Sequence, residues 1–164
     1  MIGVVVQPGV EFGDDMVFHY NRKRAENLSK AITAYDTLVY EAHSTDYQNE
    51  SSLKALVEDH FCILKVGPWL TFAYREALYA LEAIEMELLE NQNHDLSNLK
   101  AVLDKAMVDD PGFWEPYYSG PEPSKLFKRK YSFSDRSRYY WPKADVVSAR
   151  DRLFENLEKN QKDS

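Results

Sequence analysis

The stretch YDTLVYEAHSTDYQNESSLKALVEDHFCILKVGPWLTFAYR, residues 35–75, decides the architecture. It holds two short β-branched and aromatic runs, residues 37–40 and 61–66. The first opens onto Glu41-Ala42-His43-Ser44-Thr45-Asp46-Tyr47-Gln48 and the second onto Lys65-Val66-Gly67-Pro68, and each then leads into a helical pattern. Strand, polar loop, helix, twice over, is the grammar of an α/β protein that carries its function at the carboxyl ends of its strands.

Outward from that stretch the same grammar repeats once. Residues 2–6 are a continuous apolar run, the composition of a strand buried on both faces of a parallel sheet. Gln7-Pro8-Gly9 stops it, residues 10–15 read as a loop, and a helical pattern follows over about 20–34 with Ala25, Leu28 and Ile32 inward. Ser51 is the expected N-cap of a short helix that buries Leu53, Leu56 and Val57. Pro68 suits the first turn of the longest helix, about residues 69–90, because its missing N–H costs nothing there. Phe72, Ala73, Ala77, Leu81, Ile84 and Leu88 form that helix's apolar stripe, with Glu82, Glu85 and Glu87 off it. Residues 91–95 break the pattern and Ser97 caps a helix that Asp109-Asp110-Pro111 ends. Residues 113–118 make a short aromatic helix or turn. Asp145 caps a last helix, with Val146, Ala149, Leu153 and Leu157 inward, before a tail at 160–164 that frays.

Three βα units in series imply parallel pairing through right-handed crossovers. A parallel sheet needs cover on both faces and protection at both edges, so three strands are few, and the chain reads as part of something larger. Standing alone, it would show open sheet edges and an exposed apolar face at residues 2–6.

The totals narrow the function class. The 164 residues are one domain's worth, 44% hydrophobic and 29% charged. Twenty basic against 27 acidic residues give −7, which speaks against a nucleic-acid or anionic-membrane partner. No apolar run approaches the roughly 20 residues that span a bilayer, and the amino terminus lacks the layout of a signal peptide. One cysteine, Cys62, excludes an internal disulfide framework and reads as a small buried hydrophobe, so a cytoplasmic location is expected. Charge is uneven: residues 125–143 hold seven basic side chains and one acid, Asp135, leaving −13 for the rest.

The residues with chemistry gather after the strand-like runs. His43 lies between Glu41 and Asp46, with Gln48 nearby. Histidine titrates near neutrality and carboxylates orient it, so these four read either as an acid–base and binding cluster or as a polar loop bonded to its own backbone. Lys65 ends the third run, placed either to hold a phosphate or form a Schiff base, or to pair with a carboxylate. Gly67-Pro68 precedes a helix N-terminus, whose amides favour anions. Zinc usually takes three protein ligands, and neither HxH nor HExxH spacing occurs, so no metal is expected here; His19 and Glu11 would add ligands only if the fold gathered them. Arg75 and Glu76 read as ion-pairing or packing residues. Arg136 and Arg138, among serines and aromatics, could grip a phosphate bidentately or pack in an aromatic interface.

Beyond composition and spacing, the strings VVVQPGVEFGDD (4–15), VYEAHSTDYQ (39–48), HFCILKVGPWLTFAYREALYAL (60–81) and YSFSDRSRYYWP (131–142) resemble the carboxyl-terminal part of a known family. It is the class II D-tagatose-1,6-bisphosphate aldolase non-catalytic subunits of galactitol and N-acetylgalactosamine catabolism. MVDDPGFWEPYYSG (107–120) fits too, and the resemblance covers nearly the whole chain. It implies an α/β fold, an incomplete TIM (β/α)8 barrel in which residues 2–6, 37–40 and 61–66 are the last three strands. Residues 1–90 would then be three βα units and 91–164 a helical extension packed on the barrel. With five units lacking and Met1 at the start of a strand, the chain is expected to be a truncated, split or fragmentary gene product. The resemblance further implies a stabilising, chaperone-like role beside a separate zinc-dependent catalytic subunit, with no cofactor in this chain. That partner cleaves tagatose 1,6-bisphosphate to dihydroxyacetone phosphate and glyceraldehyde 3-phosphate. Some relatives are credited with ketose or uronate epimerase activity. In a sugar site of that kind Gln7, Glu11, His43, Asp46, Gln48 and Lys65 would line the mouth and Gly67 and Pro68 would open onto a phosphate. Trp69 departs from the small residue usual after Gly-Pro, which argues against a tight phosphate fit. The rival expectations are a sugar-phosphate epimerase or aldolase using the His43 cluster, and a truncated product without function.

Overall fold

The computed structural model describes residues 2–89 and 95–161. Strand β1 (Ile2–Val6) is followed by a two-residue hairpin pair, β2 (Glu11–Phe12) and β3 (Val17–Phe18), then helix α1 (Arg22–Ile32). Strand β4 (Leu38–Ala42), helix α2 (Glu50–Glu58), strand β5 (Ile63–Leu64) and the long helix α3 (Pro68–Leu89) come next. Helices α4 (Leu99–Asp109), α5 (Glu122–Tyr131) and α6 (Ala144–Gln161) complete the chain, with short 3-10 turns at Pro111–Phe113 and Arg136–Tyr139. The chain divides into two compact units, Met1–Leu70 and Thr71–Ser164.

In the first unit the three expected strands pair in parallel in the order β1-β4-β5. Ile2 faces Leu38, Val4 faces Tyr40 and Val6 faces Ala42, while Glu41 faces Ile63. Strand side chains alternate between faces, so one face carries Val6, Leu38, Tyr40, Ala42 and Leu64. These pack with Val10, Ala25, Ile32, Leu56 and Phe61 into one core under α1 and α2. The opposite face carries Gly3, Val5, Val39, Glu41 and Ile63, and there Val5 is 56% and Ile63 43% exposed. The expectation that residues 2–6 are buried on both faces is therefore corrected: only Val6 is even half-buried. The outer edge of β1 has no neighbour among the described residues, and the exposed apolar face expected of a three-unit chain is present. Cys62 is also exposed rather than buried, because the third run pairs only at Ile63–Leu64 and Phe61 takes the core position. The expected loop at 10–15 contains β2, whose antiparallel pairing with β3 turns over Gly13–Met16.

Local capping sets the helix boundaries. Asn21 and Asn49, rather than Ser51, accept the amide hydrogens of Arg24 and Ser52 at the starts of α1 and α2. Residues 90–94, most of the expected break after the long helix, lie outside the described residues, as do 162–164 of the tail.

In the second unit, Leu78 of α3, Leu99, Leu103 and Met107 of α4, and Val146, Ala149 and Leu153 of α6 close around Trp114, Tyr118 and Tyr140. Fully buried leucines such as Leu103 and Leu153 each contribute about 1.5–3 kcal/mol through burial. The α3 stripe is corrected here. The buried residues of that helix are Arg75, Leu78, Glu82, Glu85 and Leu89, whereas Ala73, Ala77, Ile84 and Leu88 are exposed. The carboxylates go inward because they cap another helix. Glu82 accepts from the Lys100 amide at 3.2 Å, and Glu85 accepts from the Ser97 amide at 3.0 Å, the Ser97 hydroxyl and Asn156 Nδ2. The Lys100 amide, one of those a helix leaves unpaired in its first turn, is thereby satisfied, as is the Ser97 amide just before α4. Ser97 thus serves the α4 start through Glu85, and the residue in the N-cap position is Asn98. Arg75 is buried against Asp135, Nε to Oδ1 2.8 Å, and Asp135 also accepts from Thr71 Oγ1 at 2.6 Å and Ser137 Oγ at 2.9 Å.

Candidate functional site

The alternation of the pleat places Gln7, Glu41, His43 and Lys65 on the uncovered side of the sheet, in line with Val5 and Ile63. His43 continues the ladder by donating its amide to Val6 O at 3.1 Å. Its Nε2 lies 3.0 Å from Glu41 Oε1, a partly exposed pair of the kind that can hold and pass a proton. Gln7 Nε2 donates to Glu11 Oε2 at 2.8 Å and to Ser44 Oγ at 3.3 Å, joining the ends of β1 and β4 across the sheet. The Lys65 ammonium has no partner among the described residues.

Asp46 and Gln48 are buried and hold the backbone. Asp46 Oδ1 accepts the amide hydrogens of Gly67 at 2.8 Å and Trp69 at 2.9 Å. The donors that a phosphate would need at the Gly67-Pro68 turn are thus already taken by a carboxylate. Gln48 accepts from the Tyr20 amide at 2.9 Å and donates to Phe18 O at 3.0 Å, tying the hairpin to the end of β4. Thr45 Oγ1 donates to Lys65 O at 2.8 Å. These bonds hold Ser44 and Tyr47 at φ of 59° and 60°, a left-handed conformation that is costly for a residue with a Cβ and persists where the surroundings enforce it.

Between these loops lies an open cleft of about 160 Å³, lined by Phe12, His43, Ser44, Asp46, Lys65, Val66 and Gly67. The Tyr47 ring meets Phe12 edge-on at 5.5 Å and Trp69 at 5.7 Å. Sequence reasoning missed Phe12. The signal was present: Glu11-Phe12 and Val17-Phe18 flank Gly13-Asp14-Asp15, a hairpin signature.

Arg136 and Arg138 belong to the second unit. Arg138 Nη1 donates to Ser134 O and, at 3.1 Å, to Asp135 O, and its Nη2 donates to Tyr139 Oη at 2.8 Å. The Arg136 guanidinium lies over the Tyr117 ring, 3.4 Å from its centroid. Among the described residues no three of His, Cys, Asp and Glu stand close enough to share a metal ion. No helix of the described residues is long and apolar enough to cross a membrane.

With this geometry in place, comparison with known proteins is decisive. The D-tagatose-1,6-bisphosphate aldolase subunit GatZ/KbaZ-like family matches along residues 1–164. The chain belongs to that family. The GatZ/KbaZ-like chain is also similar to a solved structure from Sinorhizobium meliloti 1021, described as a probable tagatose 6 phosphate kinase. The two are 46% identical with a TM-score of 0.90, over 96% of this chain and 40% of that one. The chain therefore spans about 40% of the length of that relative. Its mixed α/β architecture with a parallel sheet is the architecture they share.

Proposed function

We propose that this chain is the carboxyl-terminal portion of a non-catalytic, stabilising subunit of tagatose-1,6-bisphosphate aldolase, acting in galactitol or N-acetylgalactosamine breakdown. On this reading β1, β4 and β5 are the last three strands of a (β/α)8 barrel within residues 1–90, and 91–164 are its helical extension. The observation that carries the reading is the uncovered sheet face. A parallel sheet with Val5 of β1 and Ile63 of β5 in water, beside Glu41, His43 and Lys65, is the inner wall of a barrel whose other strands lie elsewhere. The family description supplies the aldolase complex, and the catalytic subunit, with its zinc, is the partner. We place the protein in the cytoplasm.

The test is aldolase activity and half-life of the purified catalytic subunit with and without this chain. A longer half-life with the chain present is expected; equal activity and equal half-life would dispose of the reading.

The Glu41–His43 pair, 3.0 Å apart at a strand's carboxyl end, favours a second reading. Here the complete protein binds and converts a phosphorylated ketose, by epimerisation or carbon–carbon cleavage, with His43 as acid–base, Glu41 orienting it and Lys65 facing the ligand's anion. Asp46 and Gln48 hold the loop. The Gly67-Pro68 turn shapes the cleft without offering free amides. His43→Ala should abolish ketose conversion by the complete protein at unchanged melting temperature; undiminished turnover would exclude it. A truncated product without function would fail both assays.

A further inference from the structure

Arg136 stands apart from the other buried or half-buried arginines. Arg75 pairs with Asp135, though its Nη2 is also buried without a partner, Arg129 pairs with Asp104 and Glu122, Arg138 is held by Ser134, Asp135 and Tyr139, and Arg150 pairs with Asp151. The Arg136 side chain has no hydrogen-bond or ion-pair partner among the described residues, and its Nε is buried without one. It is nevertheless held in place. Its guanidinium lies 3.4 Å from the Tyr117 ring centroid and 5.9 Å from that of Tyr139, and the Tyr139 ring in turn stacks on Phe113 at 5.1 Å. Its backbone amide donates to Tyr118 Oη at 3.2 Å. Tyr117, Tyr139 and Phe113 are all exposed.

A planar cation fixed between rings, with its donor edge unused, has already lost the rotamer freedom that binding would otherwise cost. The surrounding surface selects the partner. Exposed aromatic rings with arginine are the composition of protein interface centres, and a planar guanidinium without a partner suits a carboxylate. We propose that Arg136 is a docking arginine for a carboxylate presented by a protein surface, with Phe113, Tyr117 and Tyr139 as its apolar surround. Resting on the partner role proposed above, the occupant is an aspartate or glutamate of the catalytic aldolase subunit, set among apolar residues.

The test is calorimetric titration of the full chain with the purified catalytic subunit. Arg136→Ala and Arg136→Lys should each weaken the complex by about tenfold or more. The lysine keeps the charge but loses the planar, forked donor edge, so it should behave like alanine. Tyr117→Ala should weaken binding in the same direction, and the control Lys54→Ala should leave it unchanged. Arg136→Lys also serves if the alanine variant melts early. Wild-type affinity in both arginine variants overturns the assignment while leaving the partner role standing. Absence of any complex with the wild-type chain removes the partner role and this inference together. A parallel titration with inorganic phosphate completes the design: a 1:1 signal lost in Arg136→Ala overturns the protein-carboxylate assignment in favour of a small-anion site.

Discussion

Asp46 shows how far one side chain can redirect a local reading. Its carboxylate spans from the end of β4 to the amides of Gly67 and Trp69, so it stabilises the turn and the start of α3 as an N-cap would. Asp46→Ala leaves both amides unpaired and should cost about 1–3 kcal/mol in urea unfolding; Asp46→Asn, which keeps the Oδ1 that both amides share, should cost less, and equal losses would refute that bridging role. Glu82 makes a pH prediction. Burial raises its pKa above the ordinary 4.5, the Lys100 amide opposing this and the Glu85 charge adding to it. A carboxyl raised in the folded chain binds its proton more tightly there than when unfolded. Its contribution is therefore fully present below about pH 4.5 and is lost as pH rises from 4.5 through the raised folded value. Glu82→Gln should flatten the fall in melting temperature between pH 4.5 and 7, and superimposable wild-type and variant profiles would reject it.

At the scale of elements, much was legible. The parallel pairing of the three runs followed from their β-branched composition and their spacing, and His43 with Glu41 followed from their place at a strand's end. The α3 face did not. Helical periodicity identifies a stripe but not what covers it, and Glu82 and Glu85 turn inward because the Lys100 amide in the first turn of α4 and the Ser97 amide before it need acceptors. Nor was α5 anticipated: Pro121 and Pro123 stand at its start, where proline fits a helix's first turn. Asp46 and Gln48 stayed open between ligand and backbone roles, because a polar side chain that binds backbone and one that binds a ligand look alike in sequence. The exposed stripe yields its own prediction. Ile84→Lys, at a position 49% exposed, should change the stability of this chain by no more than about 0.5 kcal/mol. A loss of several kcal/mol in thermal unfolding would mean that the stripe is covered.

At the scale of the molecule, the sheet is the element to watch. An apolar face and an unpaired edge are templates for association, so the chain should bind hydrophobic dyes and self-associate as concentration rises. The pair Val5→Lys and Ile63→Lys should reduce both at little cost in melting temperature, as sedimentation and dye titration would show. A monomeric wild-type chain that binds no dye would contradict this. The same exposed face has a calorimetric consequence. Ordinary domains gain about 12–15 cal/mol/K per residue on unfolding, roughly 2–2.5 kcal/mol/K at this length, because folding removes apolar groups from water. Val5 and Ile63 on that face are wetted before unfolding begins. The heat-capacity increment should fall short of that range, and the shortfall should return as a negative heat-capacity change when a binding surface covers that face.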